Sequence, residues 1–390
     1  MVPENPPKLG IIRIIRVIVG QPVIESGEEF FRAILGCFDQ LLKLFQSVAN
    51  GGFSIPRDLK PLSVKGVSRI MKPLFNPQIA ETAAENTGRH FPLQRGEKLR
   101  TTFSEVFSRH IGHLKSGEWF EAEVLLVTGL SESGKTRETN EVLKLLHAEQ
   151  VPLPNGRPAR IAQCDLNRAG GWKDLGRRTL KAMGYHLSDS ARLTQAEIWS
   201  RVAYQAQQQG IIGIHFDEAQ HIFAGKSDND REMILDNFKS LIKTRGWPLM
   251  LIMSGVPELA DHVRSLDQTQ NKVTHVHFDA IDLTEDLDVI HEIVGSYALE
   301  NGLELDERLL TEDFYRRLAV ASAMRWGTLI KMTIASIGNA RVSGSSVLSL
   351  DDFVDFWSRK ANVNALATPF THDGYESMFR PDKPFQAFIS

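Results

Sequence analysis

The chain has 390 residues, a formal net charge of −3, 42% hydrophobic and 24% charged residues, and two cysteines. That length allows two or three domains, and the near-neutral balance excludes a polycation, so any basic footprint must be local. Cys37 and Cys164 are too few for a cysteine-rich zinc site and point to a reducing compartment. No apolar run approaches the ~18 residues of a membrane span. The best candidate, residues 11–19, carries Arg13 and Arg16 and lacks the layout of a secretory signal, so a cytoplasmic protein with no membrane partner is expected.

Residues 1–88 read as a separate N-terminal module of unassigned role. Residues 11–19 suit a strand. Ser26-Gly27-Glu28-Glu29 then forms a capping box ahead of a helix on which Phe30, Phe31, Ile34, Leu35, Phe38, Leu41, Leu42, Phe45 and Val48 recur at helical spacing. The stripe suits a core or a partner surface; its acid-rich polar face argues against anionic lipid. Up to residue 77 the chain carries Arg57, Lys60, Lys65, Arg69 and Lys72. These dispersed charges read as a basic arm or as a solvated linker.

From residue 89 the pattern is that of an α/β core, expected over 89–282. A helix over 98–114 precedes the apolar run Val124-Leu125-Leu126-Val127, a buried strand. Gly129-Leu130-Ser131-Glu132-Ser133-Gly134-Lys135-Thr136 follows, a full match to GxxxxGK[ST], and a helical pattern opens at Arg137. Strand, glycine loop and helix in that order form an anion trap. Loop N–H groups and the positive end of the helix converge on phosphate oxygens. Lys135 reaches the β- and γ-phosphates and Thr136 holds Mg²⁺. Gly129 through Arg137 are therefore the candidate ATP-binding residues.

A second strand is expected over 160–164, followed by a loop over 165–173 and helices over 175–183 and 195–208. The run IIGIHFDE, residues 211–218, is a strand ending in two acids. Asp217 is placed to support Mg²⁺, and Glu218 to aim and deprotonate a water at the γ-phosphate. Together the two motifs imply an ATPase. A loop over 221–227, a helix over 232–244 and strands over 249–254 and 273–278 complete a mainly parallel five-stranded sheet with ligands at its carboxyl edge. The periodicity then turns helical over 285–300, 311–321, 325–340 and 351–360, a lid expected over 283–361. The tail, 362–390, lacks that periodicity. It carries Phe370, Phe379, Phe385 and Phe388, which read as exposed, and it suits either a partner-docking segment or a strap packed on its own lid.

GLSESGKT, then FDEAQHIF over 216–223, then LIMSGVPEL over 251–259, then a helical lid, resembles an AAA+ ATPase, and among these the TniB/TnsC transposition regulators, relatives of MuB. The resemblance covers roughly residues 89–360. It implies an ATP-dependent protein that assembles as a filament or ring on duplex DNA and works with a transposase and a target-selection protein. It also implies that Ser254 senses the γ-phosphate and that Arg325, opening a lid helix in MRWGTLIK, reaches ATP from the lid. An arginine finger just before the fifth strand is usual in the group. Here the stretch reads Gln270-Asn271-Lys272-Val273, leaving Lys272 and Arg264 as candidates to act across a subunit interface, without the planar fork of guanidinium at position 272. For DNA, Arg168 and Lys173 in the loop after the second strand are the first candidates, and Lys239 and Lys243 on the later helix the second. An AAA+ signalling or defence ATPase that assembles around a protein partner without DNA is the alternative.

Overall fold

Five parallel strands form the centre of the molecule in the order β2-β3-β4-β1-β5. The computed structural model describes residues 75–168, 170–188, 192–267, 272–378, 380 and 383–386, with side chains of 264–267 and 378 excepted. The N-terminal strand and amphipathic helix expected before residue 75 lie outside the described residues, as do Phe379 and Phe388.

Strands β1 (Val124–Gly129), β3 (Ile211–Asp217) and β4 (Met250–Gly255) are buried along their whole length. Both their faces are covered by helices, which is why they read as continuous apolar runs rather than as alternation. The edges are β2 (Arg160–Asp165) and β5 (Val273–Phe278), and both are only partly buried. Around the sheet lie α2 (Gln94–Ser116), α3 (Lys135–Glu149), α4 (Trp172–Ala182), α5 (Gln195–Gln209), the short α6 (Gln220–Phe223), α7 (Asp228–Ile242) and α8 (Leu259–Asp267). In α2, residues Leu99, Phe103, Val106, Phe107, His110, Ile111 and Leu114 are buried at three- and four-residue spacing, and Gly117 closes the helix at φ +72°.

A second core holds α9 (Leu287–Glu300), α10 (Glu312–Ala321), α11 (Trp326–Ser343) and α12 (Leu350–Ala361). A two-stranded parallel pair, β6 (Glu304–Leu305) with β7 (Val347–Leu348), ties it together. Helix α1 (Pro77–Asn86), in the stretch read from sequence as the end of the N-terminal module, packs against α11. Its Asn86 side chain donates to the Asn301 side chain at 3.1 Å.

Where it is described, the tail packs on the second helical core. Phe370 is buried against Phe314 and Phe353, with ring centroids 6.1 and 5.7 Å apart. Arg317 Nη1 donates to the Pro369 and His372 carbonyls, each at 2.9 Å, and its guanidinium covers the Tyr375 ring of α13 (Tyr375–Met378). Phe385 packs on Trp357 and Phe356. These rings supply the apolar burial that the tail's irregular backbone needs, and this packing corrects the expectation of exposed phenylalanines for Phe370 and Phe385.

Candidate nucleotide site

The glycine loop crosses from β1 to α3 with Gly134 at φ +98°, a region open to glycine and strained for other residues. Lys135 is buried in the fold of its own loop. Its Nζ donates to the Gly129 carbonyl at 2.9 Å, the Leu130 carbonyl at 2.8 Å and Ser133 Oγ at 3.4 Å. Burial holds its ammonium below the ordinary lysine range; Glu218 and Asp217 oppose that shift, while Arg95 and Arg325 add to it.

Asp217 is the hub beside the loop. Thr136 Oγ1 donates to Asp217 Oδ2 at 2.7 Å, Ser254 Oγ donates to Oδ1 at 2.6 Å, and the Glu218 N–H reaches Oδ1 at 3.0 Å. Because Ser254 gives its single proton to Asp217, the contact from His215 Nε2 at 2.8 Å is an N–H donated to the serine oxygen. That fixes the imidazole tautomer and leaves Nδ1 buried without a partner among the described residues. Ser254 stands at the end of β4 as expected, and here it orients the Asp217 carboxylate. The hydroxyl of Thr136 and the carboxylate of Asp217 are hard oxygen donors that fit Mg²⁺. Among the described residues no three His, Cys, Asp or Glu side chains cluster around a metal position, so water and phosphate oxygens would complete the shell.

Glu218 follows directly, at φ +54°, with one carboxylate oxygen held by the Gln220 side-chain amide. The Gln220 carbonyl oxygen in turn accepts from Val256 N at 3.4 Å, so one glutamine links the candidate base to the end of β4. Gln220 belongs to the DEAQH run. Its role needed tertiary contacts to be seen.

The lid clasps the loop through Glu132, itself at φ +63°. Gly327 N donates to the Glu132 carbonyl at 2.9 Å, Thr328 Oγ1 to Oε2 at 2.6 Å and Lys331 Nζ to Oε1 at 3.0 Å. A Cβ at position 327 would lie 2.4 Å from that carbonyl, so glycine is what lets α11 come this close. Thr328 foremost, then Lys331, holds the Glu132 carboxyl below its ordinary range against the opposing effect of burial. Arg325 precedes α11 at the cap position, near enough for its charge to act on both Lys135 and Glu132. The sequence expectation thus brings Lys135, Thr136, Asp217, Glu218, Ser254 and Arg325 into one place.

A cavity of ≈ 410 Å³ opens over the loop, within the range of small-molecule sites. Its apolar lining comes from Phe91, Leu93, Tyr297, Ile330 and Ile334. Gly134, Lys135, Thr136, Arg137 and Glu218 supply the polar side. Arg137 also donates to the Arg89 carbonyl, tying α3 to the segment between α1 and α2. Arg95, in the first turn of α2, lines the same cavity and was not singled out by sequence reasoning, because nothing local marks it.

The remaining candidates lie apart. Arg168 and Lys173 are exposed at the carboxyl edge of β2, the end of the sheet that carries the phosphate loop. Between them Trp172, the first residue of α4, is buried and stacked on Trp199 with centroids 4.2 Å apart, so Lys173 stands in the first turn of that helix and not in the loop expected over 165–173. Lys239 pairs with Asp236 at 3.0 Å and Lys243 with Glu121 at 3.2 Å. They sit at the opposite end of the sheet, where Ala122 N donates to the Ile242 carbonyl at 2.9 Å, so the two pairs of cations cannot belong to one continuous edge. Lys272 immediately precedes β5, beside Val124, about 20 Å from its own phosphate loop at ~3.3 Å per residue along β1. Arg264 lies on α8.

Residues 118–263 match the family model described as AAA domain. No curated protein matches the chain by sequence. Among solved structures, the ORC1 protein of Aeropyrum pernix in complex with DNA is similar at TM-score 0.51 and 12% identity, covering 74% of this chain and 73% of that one. Cdc6p from Pyrobaculum aerophilum gives TM-score 0.49 and 12% identity over 71% and 70%. The Drosophila ORC bound to DNA gives 0.46 and 11% over 84% and 73%. At 12% identity, the likeness to the Aeropyrum protein shows the fold alone, an α/β AAA+ core with a helical C-terminal region. An AAA domain implies a P-loop ATPase that binds ATP with Mg²⁺.

Proposed function

We infer, with an AAA domain at residues 118–263 as the premise, that this chain is an ATP-dependent, sequence-nonspecific DNA-binding regulator of transposition. It oligomerises on target DNA as a filament or ring and recruits or activates a transposase, with a target-selection protein as a further partner. ATP hydrolysis is an assembly switch. The observation that carries this reading is the direct clasp between the phosphate loop and the lid through Glu132, Gly327, Thr328 and Lys331. Whatever moves the loop on binding or losing phosphate moves the lid, and lid position is what a neighbouring subunit would meet. Lys135 binds phosphate, Thr136 and Asp217 support Mg²⁺, Glu218 activates water, and Arg325 reaches ATP from the lid. Lys272 or Arg264 acts across the interface. The transposition role rests on the resemblance carried by the DEAQH and SGVPEL runs. The DNA role is supported by exposed cations and by a structural relative solved in complex with DNA.

The DNA surface is proposed at Arg168 and Lys173 rather than at Lys239 and Lys243, whose charges are already matched by Asp236 and Glu121. Phosphate contacts release counterions, so each lost contact lowers the slope of log affinity against log salt by about 0.9. The double change Arg168→Ala with Lys173→Ala is expected to weaken binding alike on all duplexes and to flatten that slope by about 1.8. ATP binding by the same variant should be unchanged. Salt titration of duplex binding by fluorescence anisotropy checks it. A wild-type slope would move the DNA surface elsewhere.

A further inference from the structure

Arg95 is a guanidinium without a match in its surroundings. Its Nε and Nη1 are out of contact with solvent and have no hydrogen-bond partner among the described residues. The group lies between two aromatic rings, 5.5 Å from the Phe278 centroid at the end of β5 and 5.3 Å from that of Trp326 at the start of α11. Nη2 comes within 3.1 Å of the position a Cβ would take on Gly134. Burial outweighs the fields of Glu138 and Asp286 and pushes the group down to about 10, still protonated at neutral pH. A buried, charged, under-bonded fork is costly unless something anionic arrives. Glu138, the nearest candidate within the chain, is instead engaged by His90 Nε2 at 2.8 Å.

We propose that Arg95 binds the phosphate chain of the nucleotide beyond its α-phosphate, acting in cis from α2, and that its stack on Trp326 passes the presence of those phosphates to the lid. Three observations converge on this assignment: the unpartnered donors, the approach of Nη2 to the side of the loop at Gly134 where a Cβ would stand, and the shared cavity with Lys135, Thr136 and Glu218. A planar fork suits phosphate oxygens better than an ammonium does, and the nearby Phe278 and Trp326 rings attract its charge without using its donors. The inference rests on the ATP reading of the site and adds a residue to it.

The test is direct binding of AMP, ADP and ATP to the full chain by calorimetry, for the wild type, Arg95→Met, Arg95→Lys and Lys135→Ala. Trp326 emission is followed in parallel, with Trp326→Phe as the spectral reference. Arg95→Met is expected to weaken ADP and ATP about 10- to 100-fold, the worth of one hydrogen bond between charged groups, and AMP much less. Arg95→Lys should recover part of the loss, and the nucleotide-dependent change in Trp326 emission should disappear in Arg95→Met. An equal loss for all three nucleotides, or none, would overturn the proposal and leave Arg95 a brace between Phe278 and Trp326. If circular dichroism shows Arg95→Met unfolded, Arg95→Lys is judged by the same dependence on phosphate number. Unchanged ATP binding by Lys135→Ala would sink the reading of the loop itself, a different result from failure at Arg95.

Discussion

Lys135→Ala is expected to abolish ATP binding. The lysine closes the loop on itself through three contacts, to Gly129, Leu130 and Ser133, and it is the mobile cation that phosphate oxygens recruit. Each hydrogen bond to a charged group contributes roughly 1.5–3 kcal/mol, so losing two such bonds to phosphate lowers affinity by on the order of a hundredfold or more. Calorimetry with ATP and Mg²⁺ on the folded variant checks this. Affinity within about threefold of wild type, less than one such bond is worth, would remove Lys135 from the site.

Glu218→Gln separates binding from chemistry. The amide keeps the shape of the carboxylate and can still pair with Gln220, yet it cannot accept a proton from water. A positioned general base contributes typically about 10²–10⁴-fold, so turnover should fall by on the order of that factor while ATP affinity holds. The variant should then accumulate in the ATP state and assemble more readily than wild type. Phosphate release measured beside nucleotide binding reads both quantities, and unchanged turnover would take the role of base away from Glu218.

Much of this site was legible in the sequence because its chemistry is local. GLSESGKT fixes a loop of defined backbone, and FDE follows a strand whose burial on both faces makes it read as an unbroken apolar run. The strand over 273–278 agrees with β5 residue for residue, since polar residues stand on both sides of it. What escaped was tertiary. Helix α1 reads PQIAETAAEN, with alanines in place of a strong apolar stripe; its start is signalled by Asn76, whose side chain accepts from Ile79 N at 3.3 Å, and by Pro77 behind it. Helix α8 begins inside the SGVPEL turn, whose turn chemistry hides its start, and α6 is a single helical turn that reads as loop. The pair β6 and β7 has two residues in each strand, too few for any period to show. Arg95 gave no local sign, because its meaning lies in Gly134, Phe278 and Trp326, far away along the chain. Glu132 stood inside the phosphate motif as a variable position, and only the approach of Gly327 shows that it joins loop to lid.

The central claim, that nucleotide controls a DNA-binding assembly, is tested most directly by fluorescence anisotropy of the full chain on a random-sequence duplex, with and without a non-hydrolysable ATP analogue. Tight binding is expected with the analogue and Mg²⁺ and little without it, together with a steep loss of affinity with salt and near indifference to sequence. Absence of duplex binding in both states would contradict the claim and leave an AAA+ ATPase that assembles around a protein partner.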